Sequence, residues 1–145
     1  MNNKIVYIEL AKAIELHNWI IDKAGYVCEM KEQDGLDSIL QQIKNDGDYP
    51  EFKHKLTQLV CAINESQEII EDSKRLSIVL GCFFLELNGY DYVVFDFVRE
   101  MENIIVWLAQ KRINKELLSE IIESLIYEEY YSEELKLKIA TAIGF

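Results

Sequence analysis

Leu76-Ser77-Ile78-Val79-Leu80-Gly81-Cys82-Phe83-Phe84-Leu85 runs between Arg75 and Glu86 without a single charge. A helix that is apolar nearly all round is normally the buried centre of a domain. Asp72 or Ser73 suits an N-cap, and Asn88-Gly89 suits a helix stop. The stretch therefore predicts a central buried helix over about 73–87, and roughly 15 residues are too few to span a bilayer comfortably. Upstream, the apolar spacing predicts a helix from Ile5 to Asp22, with Leu10, Ile14, Trp19 and Ile21 near one stripe and Gly25 as its stop. A loop or short hairpin is expected from Gly25 to Asp34. A short helix follows from Leu36 to Lys44, then a turn over Asn45-Asp46-Gly47-Asp48-Tyr49-Pro50. The next helix runs from Pro50 to Ser66 with Leu56, Leu59, Val60 and Ile63 inward, since proline is tolerated in a first turn. Downstream, amphipathic spacing predicts helices over Phe95–Lys111, Lys115–Tyr127 and Ser132–Ile143. The fold class is thus all-α: six or seven helices wrapped around one hydrophobic helix.

Composition agrees with that frame. The chain has 145 residues, 50% hydrophobic and 28% charged, which suits a single domain over 1–145. No apolar run reaches the ~18 residues of a membrane span, and the N-terminus lacks a signal-peptide core. The three cysteines Cys28, Cys61 and Cys82 are odd in number and widely spaced, as in a reduced cytoplasmic protein. Net charge is −11, from 26 acidic against 15 basic residues. Such a surface repels phosphate backbones and anionic membranes and favours a basic partner. The acidity is uneven, with seven Glu against three Lys between Asn114 and Lys138.

Most familiar chemistry is missing. There is no glycine-rich phosphate loop and no zinc-ligand spacing. His17 reads as structural or solvent-facing, and His54 as exposed. The cysteines, each beside apolar residues, read as small core residues rather than nucleophiles. Tyr127-Glu128-Glu129-Tyr130-Tyr131 reads as a loop packed onto the domain, or alternatively as a partner-binding patch. One segment does carry a chemical pattern: Gln67-Glu68-Ile69-Ile70-Glu71-Asp72-Ser73-Lys74-Arg75. It sets acidic residues before a helix start and two cations in the first turn. Unpaired N–H groups, Lys74 and the Arg75 fork suit a phosphate, and Glu71 suits Mg²⁺. The plain alternative is a capped helix with solvated charges.

The same segment resembles the Fic/Doc signature His-x-Phe-x-(Asp/Glu)-x-Asn-(Lys/Gly)-Arg, standing here as Gln67-x-Ile69-x-Glu71-x-Ser73-Lys74-Arg75. The resemblance covers about residues 5 to 112. Phe84-Leu85-Glu86-Leu87-Asn88-Gly89 is similar to the family's helix ending, and Gly35-Leu36-Asp37-Ser38-Ile39-Leu40 to its Gly-Leu-Leu-Glu-Ser-Ala-Leu stretch. A chain of this length is most like the compact death-on-curing (Doc) members of toxin–antitoxin pairs.

The resemblance implies ATP and Mg²⁺ as cofactors and transfer of AMP or a phosphoryl group to a protein hydroxyl. It implies Glu71 as metal ligand and Ser73, Lys74 and Arg75 as phosphate contacts. It further implies Tyr26 to Gln33 as the flap that docks a target, and an antitoxin-like chain or a target protein as partner. Two departures stand out. Gln67 occupies the place of the catalytic histidine, and an amide cannot accept the hydroxyl proton. Loss of a general base typically costs ~10²–10⁴ in rate. Ser73 replaces the family asparagine and has a shorter reach. The sequence therefore points to a degenerate site in a pseudoenzyme or binding scaffold, with an active transferase as the alternative.

Overall fold

The structure is a computed structural model that describes residues 4–23, 33–66 and 73–144. After an extended segment, α1 (Leu10–Lys23), α2 (Gln33–Gln42), α3 (Phe52–Glu65) and α4 (Ser73–Leu87) follow in order. A 3-10 turn at Asp91–Val93 leads into α5 (Val94–Ala109), α6 (Lys115–Tyr127) and α7 (Glu133–Ala142). The described residues hold seven α-helices and no strand, an all-α architecture. No helix among them is long and apolar enough to cross a membrane.

Helix α4 packs against α1, α3 and α5, as its apolar sequence demands. It shares the centre with α3, which touches α2, α4, α5 and α6. From Lys55 to Cys61 every residue of α3 is buried, whereas Val79, Cys82 and Phe83 of α4 are only half-buried. The polar residues of α3 hide this in the sequence, and each finds a partner inside. Lys55 Nζ donates to the Ile43 carbonyl and to Asp46 Oδ1, both at 2.8 Å, and lies over the Tyr7 ring. Thr57 donates to the Lys53 carbonyl at 2.7 Å, and Gln58 bridges Gln42 and Lys115. A buried polar group that is fully paired avoids most of its desolvation cost.

Several boundaries depart from the sequence reading. The first helix starts at Leu10 rather than Ile5, because Asn88 holds the preceding chain extended. Its Oδ1 accepts from Val6 N–H at 2.8 Å, and its Nδ2 donates to the carbonyls of Val6 and Phe84, each at 2.9 Å. That helix buries Ala13, His17, Ile20 and Ile21, while Trp19 is exposed. The second helix begins at Gln33, so Gln33 and Asp34 are helical rather than loop; residues 24–32 lie outside the described residues. Pro50 precedes the third helix, whose start is set by a reciprocal cap between Glu51 and His54.

Two helix ends show the same motif with different residues. After α4, Gly89 takes φ 84°, Tyr90 N–H reaches Leu85 O at 2.9 Å and Gly89 N–H reaches Glu86 O at 3.2 Å. After α5, Lys111 takes φ 61°, Arg112 N–H reaches Trp107 O at 2.9 Å and Lys111 N–H reaches Leu108 O at 3.0 Å. Both are Schellman closures, in which a left-handed residue satisfies the last carbonyls. The lysine explains why the fifth helix ends at Ala109 and not at Lys111.

Candidate functional site

The segment singled out in the sequence is only partly placed. Gln67 and Glu71 lie outside the described residues, as do the neighbouring residues 68–70 and 72, and Cys28 and most of the flap region. Ser73, Lys74 and Arg75 form the first turn of α4. The helix ends flanking 67–72 are tied together. Asn64 Nδ2, near the end of α3, donates to Ser77 Oγ at 2.9 Å and to its own helix at Val60 O. Ser77 Oγ in turn donates to the Lys74 carbonyl at 2.8 Å. A polar clasp thus sets where the chain leaves α3 and where it enters α4.

The charges of this turn are unequally disposed. Lys74 Nζ lies 3.2 Å from Glu102 Oε2, a carboxylate of α5. Both side chains are partly exposed, so the pair adds little stability. Its effect is electrostatic, because the nearby carboxylate weakens the field the ammonium presents to an anion. Arg75 is exposed and makes no ion pair among the described residues. The described residues contain no group of three or more metal-ligating side chains. They offer one neutralised ammonium and one exposed guanidinium at a helix N-terminus, too little to cradle a triphosphate. The remaining donors for ATP and Mg²⁺ would have to come from residues 67–72.

The other candidate residues take plain roles. His17 is buried; its Nδ1 meets Asn18 Oδ1 at 3.3 Å and its Nε2 has no hydrogen-bond partner among the described residues. His54 is half-buried rather than exposed, and its Nδ1 accepts from the Glu51 N–H at 3.1 Å as part of the α3 cap. Burial pushes the thiols of Cys61 and Cys82 up to about 11, which leaves them protonated and poorly nucleophilic at neutral pH. In the tyrosine cluster, Tyr131 packs and donates to Glu100 Oε1 at 2.7 Å. Tyr127 and Tyr130 are exposed. Packing onto the domain thus holds for Tyr131, while Tyr127 and Tyr130 face outward.

Clefts of the described residues lie away from α4's first turn. One of about 520 Å³ is bounded by Val6, Glu51, Phe52, Asn88, Tyr90 and Tyr127. Another, about 410 Å³, opens between α5 and α7 beside Trp107, Ile104 and Ile139. Glu102 is the residue of the site that the sequence left undetected. It sits on the next helix along, one glutamate among many, and only packing of α5 on α4 brings it to Lys74. No family model, no curated protein and no solved structure matches this chain.

Proposed function

We propose that this chain is a Fic/Doc-like protein of the toxin–antitoxin type that works in the cytoplasm by binding another protein, its transferase site having degenerated. The observation that carries the reading is the state of the cations at the start of α4. Lys74, in the place of a phosphate contact, is held by Glu102 at 3.2 Å. Gln67 adds to it, because an amide in the place of the histidine base cannot take a proton from an attacking hydroxyl. The net charge of −11 further suits a protein partner over a nucleic acid.

One observation favours the alternative of an active transferase, moving a phosphoryl or AMP group from ATP to a hydroxyl of a translation-related protein. Arg75 is exposed at a helix N-terminus, with Ser73 beside it and Glu71 in the place of the Mg²⁺ ligand. Two measurements separate the readings. Isothermal titration with ATP, with and without Mg²⁺, is expected to give at most weak binding that Arg75→Ala abolishes. Incubation with ATP labelled at either the α- or γ-phosphate is expected to add no label to any lysate protein beyond that seen without the chain. Label on any protein that is lost in Arg75→Ala refutes the scaffold reading.

A further inference from the structure

Exposed aromatic rings gather where the start of α5 meets the end of α6. Tyr92 is 70% exposed, Phe95 78% and Tyr130 75%. They are outside for a helical reason: Val93 and Phe97 turn into the core, which leaves Tyr92 and Phe95, one turn apart, on the outer face. The rings continue a stack that begins inside. Phe84 lies 4.7 Å from Phe52, Phe52 lies 4.9 Å from Tyr90, and Tyr90 lies 6.2 Å from Tyr92, centroid to centroid. Tyr127 lines the same cleft as Tyr90, which places the end of α6 beside the stack. Tyr130 shares a shallow cleft with Asp96, Arg99, Glu128 and Glu129, which joins it to α5. The result is a patch of large side chains anchored from below, the kind of surface that marks an interaction site.

Its charge decides what it takes. Asp91, Glu128 and Glu129 are exposed around the rings, and Asp96 is half-exposed. Three of the four cations nearby are paired: Arg99 contacts Asp96 at 3.0 Å and Glu100 at 3.5 Å, Lys53 contacts Glu123 at 2.9 Å and Glu51 at 3.7 Å, and Lys136 contacts Glu133 at 3.2 Å. The fourth, Lys4, is exposed beside Tyr90 and Tyr127. A second copy paired through this face would set the same acidic rim against itself. Phosphate backbones and anionic lipid are repelled by the same charge. We infer that the Tyr92–Phe95–Tyr127–Tyr130 patch docks a cationic protein segment in which Lys or Arg alternates with apolar residues. Its apolar groups cover the rings, its cations meet the carboxylates, and an arginine stacks on an exposed ring.

The inference extends the scaffold reading and rests on it only for the statement that binding, rather than transfer, is the function. The probe is a fluorescein-labelled peptide of four Arg-Leu-Lys repeats, followed by anisotropy, with a twin in which Glu replaces every basic residue. The chain is expected to bind the basic peptide, more weakly as salt rises, and to leave the acidic twin unbound. Tyr92→Ser/Phe95→Ser keeps the net charge and is expected to weaken binding at least tenfold. Neutralising Asp96, Glu128 and Glu129 to their amides is expected to do the same. Leu137→Ser removes an equally apolar side chain from α7, 68% exposed there, and is expected to change nothing. Binding by Tyr92→Ser/Phe95→Ser equal to that of the parent, or no binding by the parent, overturns the docking surface and leaves the scaffold reading standing. Label transfer from ATP with docking intact removes the scaffold reading alone.

Discussion

Gly81 tests the central packing of the fold. A Cβ at this position of α4 would lie 2.6 Å from Phe97 Cζ and 2.7 Å from Phe97 Cε2. Carbon atoms in contact prefer about 3.5–4.0 Å, so the ring would have to move by roughly 1 Å. Phe97 is 1% exposed, and Leu56 Cδ1 closes the third side at 3.6 Å from the same Cβ. Nothing there gives way freely. Overpacking a core costs about 1–3 kcal/mol, and exchanging glycine for alanine in a helix returns about 1 kcal/mol. Gly81→Ala is therefore expected to destabilise the protein by about 1 kcal/mol. For a chain of this size that lowers Tm by about 3 °C. Phe97→Leu narrows the side chain that clashes. Alone it is expected to cost about 1 kcal/mol through lost packing, and in the Gly81→Ala background it is expected to cost nothing or to restore stability. The assay is chemical and thermal denaturation followed by circular dichroism on the four members of this cycle. A rise in Tm of about 3 °C for Gly81→Ala, with the two changes additive, would mean that helix propensity alone is acting. The close approach of α4 and α5, and with it the Lys74–Glu102 contact, would then be wrong.

Further outcomes follow from particular contacts. Lys111→Gly relieves a left-handed lysine and is expected to stabilise by about 0.5–1 kcal/mol, whereas Gly89→Ala at the equivalent position after α4 is expected to destabilise by a similar amount; urea midpoints moving the other way would contradict both Schellman closures. Asp46→Ala strips the buried Lys55 ammonium of the carboxylate that pairs it and is expected to cost about 2 kcal/mol, against less than about 0.5 kcal/mol for a surface change such as Asp37→Ala. Equal thermal shifts for the two variants would show that Lys55 is not held this way. Alkali is expected to weaken the fold. Burial pushes the Cys61 and Cys82 thiols from 9.0 to about 11, so the unfolded chain sheds those protons first and stability falls between about pH 9 and 11. A urea midpoint that stays level or rises from about pH 8.5 to 10.5 is the refuting result.

Helix type and order were legible because they depend on local signals. The apolar run from Leu76 to Leu85 and the stop at Gly89 act within a few residues of where they stand. What escaped the sequence reading came from distant partners. Ile5–Glu9 carry a helical spacing, yet Asn88 supplies hydrogen bonds to Val6 from across the molecule and the segment stays extended. Lys55 has the sequence setting of a surface charge on α3, but the chain after α2 folds back and delivers the Ile43 carbonyl and the Asp46 carboxylate to its ammonium. Trp19 faces inward by periodicity and outward in the fold, because α1 turns Ala13, His17 and Ile20 inward instead and packs on α4.

The candidate site divides the same way. That Gln67 cannot act as a base, that Ser73, Lys74 and Arg75 open a helix, and that the chain as a whole repels other anions are matters of residue chemistry. They were available from the sequence alone. That Lys74 faces Glu102, and that the start of α5 lies beside the end of α6, required the packing of α5 against α4 and α6. Periodicity tells which side of a helix turns inward, but the outer faces of two helices become one surface only when the angle and register of their packing are set. Those are set by residues such as Gly81 and Phe97, whose fit no local pattern of the sequence records.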